Sequence, residues 1–131
     1  MPKSTIIIAG ISAAISVILG AMGAHALKDI LHPDLLNSFE TGVQYQFYHS
    51  LALIGVASLQ FNYQSKFFSF ASWSFIIGII LFSGSIYLLT LRELLNMPGL
   101  RILGPVTPFG GISLILGWIF LTLSGFEIKK K

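Results

Sequence analysis

The sequence contains no cysteine and few charged residues, and each shortage excludes a class of protein. Without cysteine, the chain has no disulfide framework and no thiolate metal site. Only 10% of the 131 residues are charged, whereas soluble domains carry about 25%. So few charges cannot solvate the surface of a 14.3 kDa domain. Polar tracts are nearly absent as well, which excludes a disordered chain, so the composition predicts an integral membrane protein.

The basic isoelectric point of about 9.4 does not indicate a nucleic-acid partner. Much of the positive excess lies in one short tail, Lys129 to Lys131, rather than along a basic face. The lipid bilayer is therefore the expected partner, and no nucleic acid is expected.

Four apolar segments have the length of about 20 residues that crosses the hydrocarbon core of a bilayer. Backbone inside a bilayer must satisfy its own hydrogen bonds, so each segment is predicted to be a helix, and the short connections predict antiparallel neighbours. The predicted spans cover about residues 5–26, 43–61, 67–91 and 108–126. The sequence therefore predicts an all-α protein, in which residues 1–131 form a single integral membrane bundle of four transmembrane helices.

The first two spans each need a comment. Lys3, the apolar run and the triplet Ala24-His25-Ala26 resemble a signal peptide, but the length of the run and the single lysine favour a retained span. The second helix is predicted to begin at Pro33 and to continue to Phe61, with a weak interruption at Gly42. At about 1.5 Å per residue it exceeds the hydrocarbon core by roughly three turns, so its start should lie at or above the interface.

The distribution of charge predicts the orientation. With four spans both termini share one side, which collects five lysines and Glu127, a net charge of +4. The opposite side has a net charge of −1 and three positive residues, namely Lys28, Arg92 and Arg101. By the positive-inside rule, both termini are predicted to be cytoplasmic in a multi-pass protein of the bacterial inner membrane.

Small residues recur on three of the predicted spans, and such residues allow helices to approach closely within lipid. They are Ser12, Ser16, Gly20 and Ala24 in the first span, Ala71, Ser74, Gly78 and Ser85 in the third, and Gly110, Ser113 and Gly117 in the fourth. We interpret this pattern as tight helix packing, which requires no ligand.

Polar side chains are concentrated in residues 40–50, and helical periodicity divides them between two faces. Glu40, Gln44 and Tyr48 share one face, whereas Gln46 and His49 lie near a second face roughly 140° away, together with the deeper Gln60. Because polar groups are costly in lipid, we expect neighbouring helices or subunits to cover both faces.

Two interpretations of these side chains stay open. In the first, they form a polar pocket that opens away from the termini, with Glu40, His49 and His25 as its titrating members. The candidate pocket residues are His25, Glu40, Gln44, Tyr45, Gln46, Tyr48, His49, Thr107, Gly110 and Gly111. In the second, they form a structural hydrogen-bond network that fixes the helices in one arrangement, with Glu40 paired to Arg92 or Arg101.

The start of the fourth helix is predicted to meet the second helix. Thr107 suits a helix cap, and Pro108 suits a first turn. Free N–H groups near Gly110 and Gly111 would then need acceptors, and a carboxylate is the strongest available partner. We therefore predict that Glu40 contacts residues 107–111, with Arg92 and Arg101 sharing its charge.

No catalytic motif occurs in the sequence. The histidine spacing does not match the zinc motif H-E-x-x-H, and no phosphate-binding loop, dinucleotide fingerprint or nucleophile elbow is present. We expect no enzymatic activity, no cofactor and no metal. A metal site of His25, His32 and His49 is kept as an alternative.

Four segments together resemble the signature of a known family. They are Gly20–Leu27, Glu40–His49, Leu81–Tyr87 and Gly104–Gly111. In this order they resemble the uncharacterised family of small four-helix bacterial inner-membrane proteins typified by YgdD and YwdK, which has mitochondrial relatives. Met22 stands where an aromatic residue is expected. The resemblance implies a four-helix inner-membrane protein of unassigned activity, and it transfers no reaction and no site.

The expected function is that of a non-enzymatic accessory or scaffold component. Its small-residue helices would pack on a membrane protein partner or on a second copy of the chain. The alternative is a minimal transporter or channel with a polar pocket around Glu40 and His49. An enzyme acting on a lipid or quinone is the third interpretation.

Overall fold

The computed structural model describes residues 2–131, which form an all-α protein. Its four long helices are α1 (Pro2–Ala24), α2 (Pro33–Asn62), α3 (Lys66–Leu91) and α4 (Val106–Glu127). A 3₁₀ helix, Pro98–Leu103, lies in the connection between α3 and α4. Two short strands, β1 (Tyr63–Gln64) and β2 (Lys129–Lys130), pair antiparallel.

Three helical segments of the described chain are long and apolar enough to cross a membrane. They are Pro2–Ala24, Lys66–Leu91 and the combined segment Pro98–Glu127. The remaining helix, α2, carries more polar side chains and does not meet the same criterion of apolarity. The membrane character predicted from composition therefore rests on α1, α3 and α4.

The extent of α2 matches the sequence prediction closely. It begins at Pro33, where the His32 ring accepts a hydrogen bond from the backbone N–H of Asp34 at 3.3 Å, and it ends at Asn62. The helix continues through Gly42, which lies against the Tyr87 ring. Ser83 donates a hydrogen bond of 2.7 Å to the Gly42 carbonyl, so this glycine brings α2 close to α3.

Each helix packs mainly on its neighbours along the chain, α1 on α2, α2 on α3 and α3 on α4. The central helices α2 and α3 supply most of the larger core cluster, which contains Ala9, Leu53, Val56, Phe68, Ala71, Phe75, Ile79 and Leu114. A smaller cluster of Leu27, Leu31 and Phe39 covers the end where α1 connects to α2. The outer helices are α1 and α4, and their outward faces are apolar.

The small-residue pattern predicted for α3 and α4 is confirmed. A Cβ atom at Gly110 would lie 2.3 Å from the backbone nitrogen of Phe82, so only glycine allows this backbone-to-backbone approach. A Cβ at Gly117 would lie 2.5 Å from the Phe75 ring. Between these points, Ser113 donates a hydrogen bond of 2.8 Å to the Ser74 carbonyl.

The prediction that Thr107 caps α4 is wrong. The helix begins at Val106, and Pro105 occupies the cap position without a side-chain hydrogen bond. Thr107 instead lies in the first turn, where its hydroxyl is 2.6 Å from the Ser85 hydroxyl of α3. An interhelical hydrogen bond thus takes the place of the local cap.

Candidate functional site

The buried histidine of α2 has hydrogen-bond partners for both ring nitrogens. Nδ1 of His49 lies 2.6 Å from the Tyr45 carbonyl, and Trp118 Nε1 donates to His49 Nε2 at 3.1 Å. Because an indole N–H can only donate, Nε2 must be the unprotonated nitrogen, and Nδ1 carries the hydrogen that it donates to Tyr45. These contacts therefore hold His49 as a neutral imidazole between α2 and α4.

Aromatic rings surround His49 and line a cavity of about 630 Å³ between α2 and α4. The Tyr45 ring stacks on the imidazole at a centroid distance of 5.9 Å, and the Phe75 ring lies 5.6 Å away. The lining consists of Tyr45, Tyr48, His49, Phe82, Gly111, Leu114, Ile115 and Trp118. Apart from the imidazole, the phenol groups and the indole N–H, this cavity presents apolar surface.

A second polar group, Gln46, connects three helices. Its Nε2 donates to the Ser12 carbonyl of α1 at 2.9 Å, and its Oε1 accepts from the Tyr87 hydroxyl of α3 at 2.6 Å. The Ser50 hydroxyl lies 2.8 Å from the Ser12 hydroxyl and 2.7 Å from the Gln46 carbonyl. The buried amide is thereby paired at both ends, which fits the structural interpretation of this segment.

The structure brings together only part of the predicted pocket. Tyr45, Tyr48, His49 and Gly111 line the cavity between α2 and α4. Gln46 points into the network with α1 and α3, and Gln44 lines a separate groove beside α1. His25 is exposed in the connection after α1, and Thr107 pairs with Ser85.

The predicted contact between Glu40 and the start of α4 is wrong. Glu40 is exposed, and within residues 2–131 no ion pair joins its carboxylate to Arg92 or Arg101. Arg92 donates to the Leu89 carbonyl at 2.6 Å, and Arg101 lines a surface cleft with Glu93. The reason is the packing order, since α4 packs on α3 while the start of α2 packs on α1 and α3.

The role predicted for Gly110 and Gly111 as free backbone donors is also wrong. Because α4 begins at Val106, both residues lie beyond the four leading N–H groups that lack an intrahelical partner. Gly110 is required for the close approach of α4 to Phe82, and Gly111 lies in contact with the Phe82 ring.

Within one chain, neighbouring helices cover one of the two polar faces of α2, and cover of the other face by a second subunit stays a prediction. The side chains of Gln46, His49 and Gln60 are buried, whereas Glu40 and Gln44 are exposed and Tyr48 is 54% exposed. Beyond Tyr48 the outward face is mainly apolar, with exposed Leu51, Ile54 and Leu59, and the exposed Ser58 hydroxyl donates to the Ile54 carbonyl. Polar groups therefore face outward mainly in the first half of the helix.

The alternative metal site is not supported by the arrangement of the three histidines. His25 and His32 are exposed at the end of α1 and before α2, whereas His49 lies four turns into α2 with both nitrogens bonded. No group of three His, Cys, Asp or Glu side chains within residues 2–131 is arranged to hold a metal ion.

Two important residues were missed at the sequence level, Trp118 and Tyr87. Each carries a polar atom on an otherwise apolar ring and lies in a predicted span. Such a group in lipid needs a hydrogen-bond partner on a neighbouring helix, and His49 and Gln46 were the available acceptors. A search of the predicted spans for hydrogen-bond donors that need an acceptor on another helix could have identified both residues.

Comparisons with known proteins identify a family of membrane proteins but assign no activity. A family model described as "Protein of unknown function (DUF423)" matches residues 19–111. The UPF0382 membrane protein YwdK of Bacillus subtilis is 38% identical, over 95% of this chain and 98% of its own length. The UPF0382 inner membrane protein YgdD of Escherichia coli K12 is 36% identical, over 96% and 92% respectively. The comparison with solved structures finds no match.

Proposed function

We propose a role for this chain, which belongs to the DUF423 family of unknown function. The proposed role is that of a non-enzymatic accessory or scaffold component of the bacterial inner membrane. In this proposal all four helices cross the bilayer, and both ends of the chain lie in the cytoplasm. Its partners are lipid and either a membrane protein or a second copy of the chain.

The position of α2 supports its role as a fourth span. It is flanked by α1 and α3, which cover its buried polar side chains Gln46, Ser50 and Gln60. Its outward side in the membrane is apolar, as Leu51 and Ile54 illustrate. A helix that turns its polar groups toward protein does not need the hydropathy of a helix surrounded by lipid.

One observation carries the non-enzymatic proposal, namely the complete pairing of the buried polar side chains at the centre of α2. Both amide atoms of Gln46 and both ring nitrogens of His49 have partners on the protein. Glu40, the acidic member of the predicted pocket, lies in solvent away from His49. Among the described residues of the predicted pocket, no free acid and base therefore face one another.

The outer face of α1 supports packing on a partner. Gly10 and Ala14 are exposed and lie four residues apart, and nothing lies within 4 Å of a Cβ built at Gly10. Small residues at this spacing allow close contact with another membrane helix. They are not used by the helices of the same chain.

A transport assay tests the proposal. In proteoliposomes that contain a pH-sensitive dye, we expect the rate of proton entry under an imposed potential to equal that of protein-free vesicles. Proton flux that is lost in Glu40→Gln and His49→Ala, but kept in the exposed control Glu93→Gln, would contradict the scaffold proposal. That result would favour the minimal transporter, for which the cavity beside His49 is the supporting observation.

A further inference from the structure

An open cavity with mixed polar and apolar walls lies at the end of the molecule where α2, α3, α4 and the start of α1 meet the short β1–β2 pair. Its volume is about 420 Å³, within the range of ligand sites, which begins at about 300 Å³. Neither the hydrogen bonds around His49 nor the scaffold proposal involves this cavity.

Three lysines line this cavity. The β ladder positions the backbone of Lys129 opposite Gln64, and the Lys131 ammonium donates to the Gln60 carbonyl. Lys66 begins α3, and its ammonium lies 5.3 Å from the centre of the Phe67 ring. Glu127 is the one acidic side chain among the lining residues, and it opposes three lysine ammonium groups. The cavity therefore attracts an anion.

A buried amide supplies an independent indication of a ligand. Gln60 lines the cavity and is only 7% exposed, yet its Oε1 has no hydrogen-bond partner. A buried polar atom without a partner costs about 1–3 kcal/mol, so such atoms are rare in native proteins. Oε1 is itself buried, so it reaches a molecule in the cavity only when the terminal amide rotates, and the same rotation can instead present the NH₂ group.

The location matches the level of lipid headgroups. The apolar part of α2 ends at Phe61 and that of α3 begins at Phe67, so the cavity lies at the edge of the apolar region. Phe68, which is buried, forms part of the wall next to the lysines. A bound molecule therefore meets charge on one side and apolar surface on the other.

We propose that this cavity binds the phosphate ester of a glycerophospholipid headgroup. The ammonium groups of Lys66, Lys129 and Lys131 bind the phosphate oxygens. Gln60, after rotation of its amide, and Glu127, which also accepts a hydrogen bond from Ser65 at 3.4 Å, accept hydrogen bonds from the hydroxyl groups of the headgroup. Basic pockets between membrane helices bind anionic headgroups by the same chemistry.

Native mass spectrometry of the delipidated full chain tests this site. The probe is phosphatidylglycerol added in detergent, with phosphatidylcholine as the lipid that lacks net charge. We expect one phosphatidylglycerol molecule to be retained per chain and phosphatidylcholine to be lost. Glycerol 1-phosphate added as a competitor distinguishes the two sources of a phosphate ester. If millimolar competitor displaces the lipid completely, the ligand is a soluble ester, and if it does not, the ligand is the lipid.

Lysine variants distinguish binding of the lipid in this cavity from general attraction of an anionic lipid to the positively charged end of the protein. Since one lysine near an anionic lipid contributes about fivefold in affinity, Lys66→Gln and Lys129→Gln should each weaken retention by about that factor. The matched control is Lys3→Gln, because Lys3 lies at the same end but does not line the cavity. An equal loss in Lys3→Gln would overturn the proposal, as would equal retention of the two lipids by the unmodified chain.

The Gln60→Leu variant distinguishes a role of Gln60 in lipid binding from a role in packing alone. If Gln60 serves only packing, replacing its unpaired amide by an apolar side chain should leave lipid retention unchanged and raise the melting temperature. If the amide binds the headgroup, phosphatidylglycerol retention should fall while the helical circular dichroism spectrum is kept. Should this variant fail to fold, the exposed Lys129→Gln variant still decides the proposal.

Discussion

At the scale of single residues, Gly110 sets the distance between α3 and α4. A Cβ atom at this position would lie 2.3 Å from the Phe82 nitrogen and 2.7 Å from the Leu81 carbonyl carbon. Because both neighbours are backbone atoms, the helices must separate to accommodate Gly110→Ala. We expect a loss of about 1–3 kcal/mol in the free energy of unfolding, measured by titration with SDS in mixed micelles.

The matched control is Gly125→Ala in the same helix, since nothing lies within 4 Å of a Cβ built there. This variant should unfold no more readily than the unmodified protein, because alanine has the higher helix propensity. Equal losses of stability in the two variants would show that close approach at Gly110 is not the cause.

At the scale of helices, Gln46 joins α1, α2 and α3. Gln46→Leu removes the hydrogen bonds to Ser12 and from Tyr87, and it leaves the Tyr87 hydroxyl without its acceptor. Interhelical hydrogen bonds in membranes contribute about 0.6 kcal/mol on average and up to about 1.7, so we expect a loss of about 1–2 kcal/mol in the same unfolding assay.

Gln44→Leu is the control for the loss of an amide, because Gln44 is exposed on the same helix and forms no hydrogen bond to another helix. It should leave stability nearly unchanged. If Gln46→Leu were as stable as Gln44→Leu, the network would contribute nothing to holding α1 and α3 on α2.

At the scale of the whole molecule, the absence of cysteine allows the number of spans to be measured directly. Single cysteines are introduced as Lys3→Cys, Glu93→Cys and Lys130→Cys, and intact spheroplasts are treated with a membrane-impermeant maleimide. If four helices cross the membrane with cytoplasmic ends, only Glu93→Cys should react. Permeabilised cells, in which all three variants should react, are the control.

Labelling that places Lys3→Cys and Lys130→Cys on opposite sides would mean that an odd number of helices crosses the membrane. That result would contradict the proposal that α2 is a span. Labelling of both end positions, with Glu93→Cys protected, would keep the four spans and reverse the orientation.

The sequence by itself determined where the long helices lie, because a helix that crosses a bilayer must be apolar over about 20 residues. Apolar length predicted α1, α3 and α4 within a few residues, and proline followed by a helical pattern predicted the start of α2 at Pro33. The spacing of small residues predicted tight helix packing without naming the helix pair, and the structure shows that Gly78, Gly110 and Gly117 serve the close contact of α3 with α4.

Only the tertiary structure decided which side chains meet, because a helical wheel gives directions but not neighbours. The packing order placed α4 against α3, so Glu40 could not reach residues 107–111, although both lie at the same end of the protein. The packing also placed Trp118 where it donates a hydrogen bond to His49, and Tyr87 where it donates one to Gln46. These pairs are separated by 69 and 41 residues in the sequence. At the other end, pairing of β1 with β2 brought the lysine tail beside Gln60, an arrangement that depends on a contact between distant segments and on no local pattern.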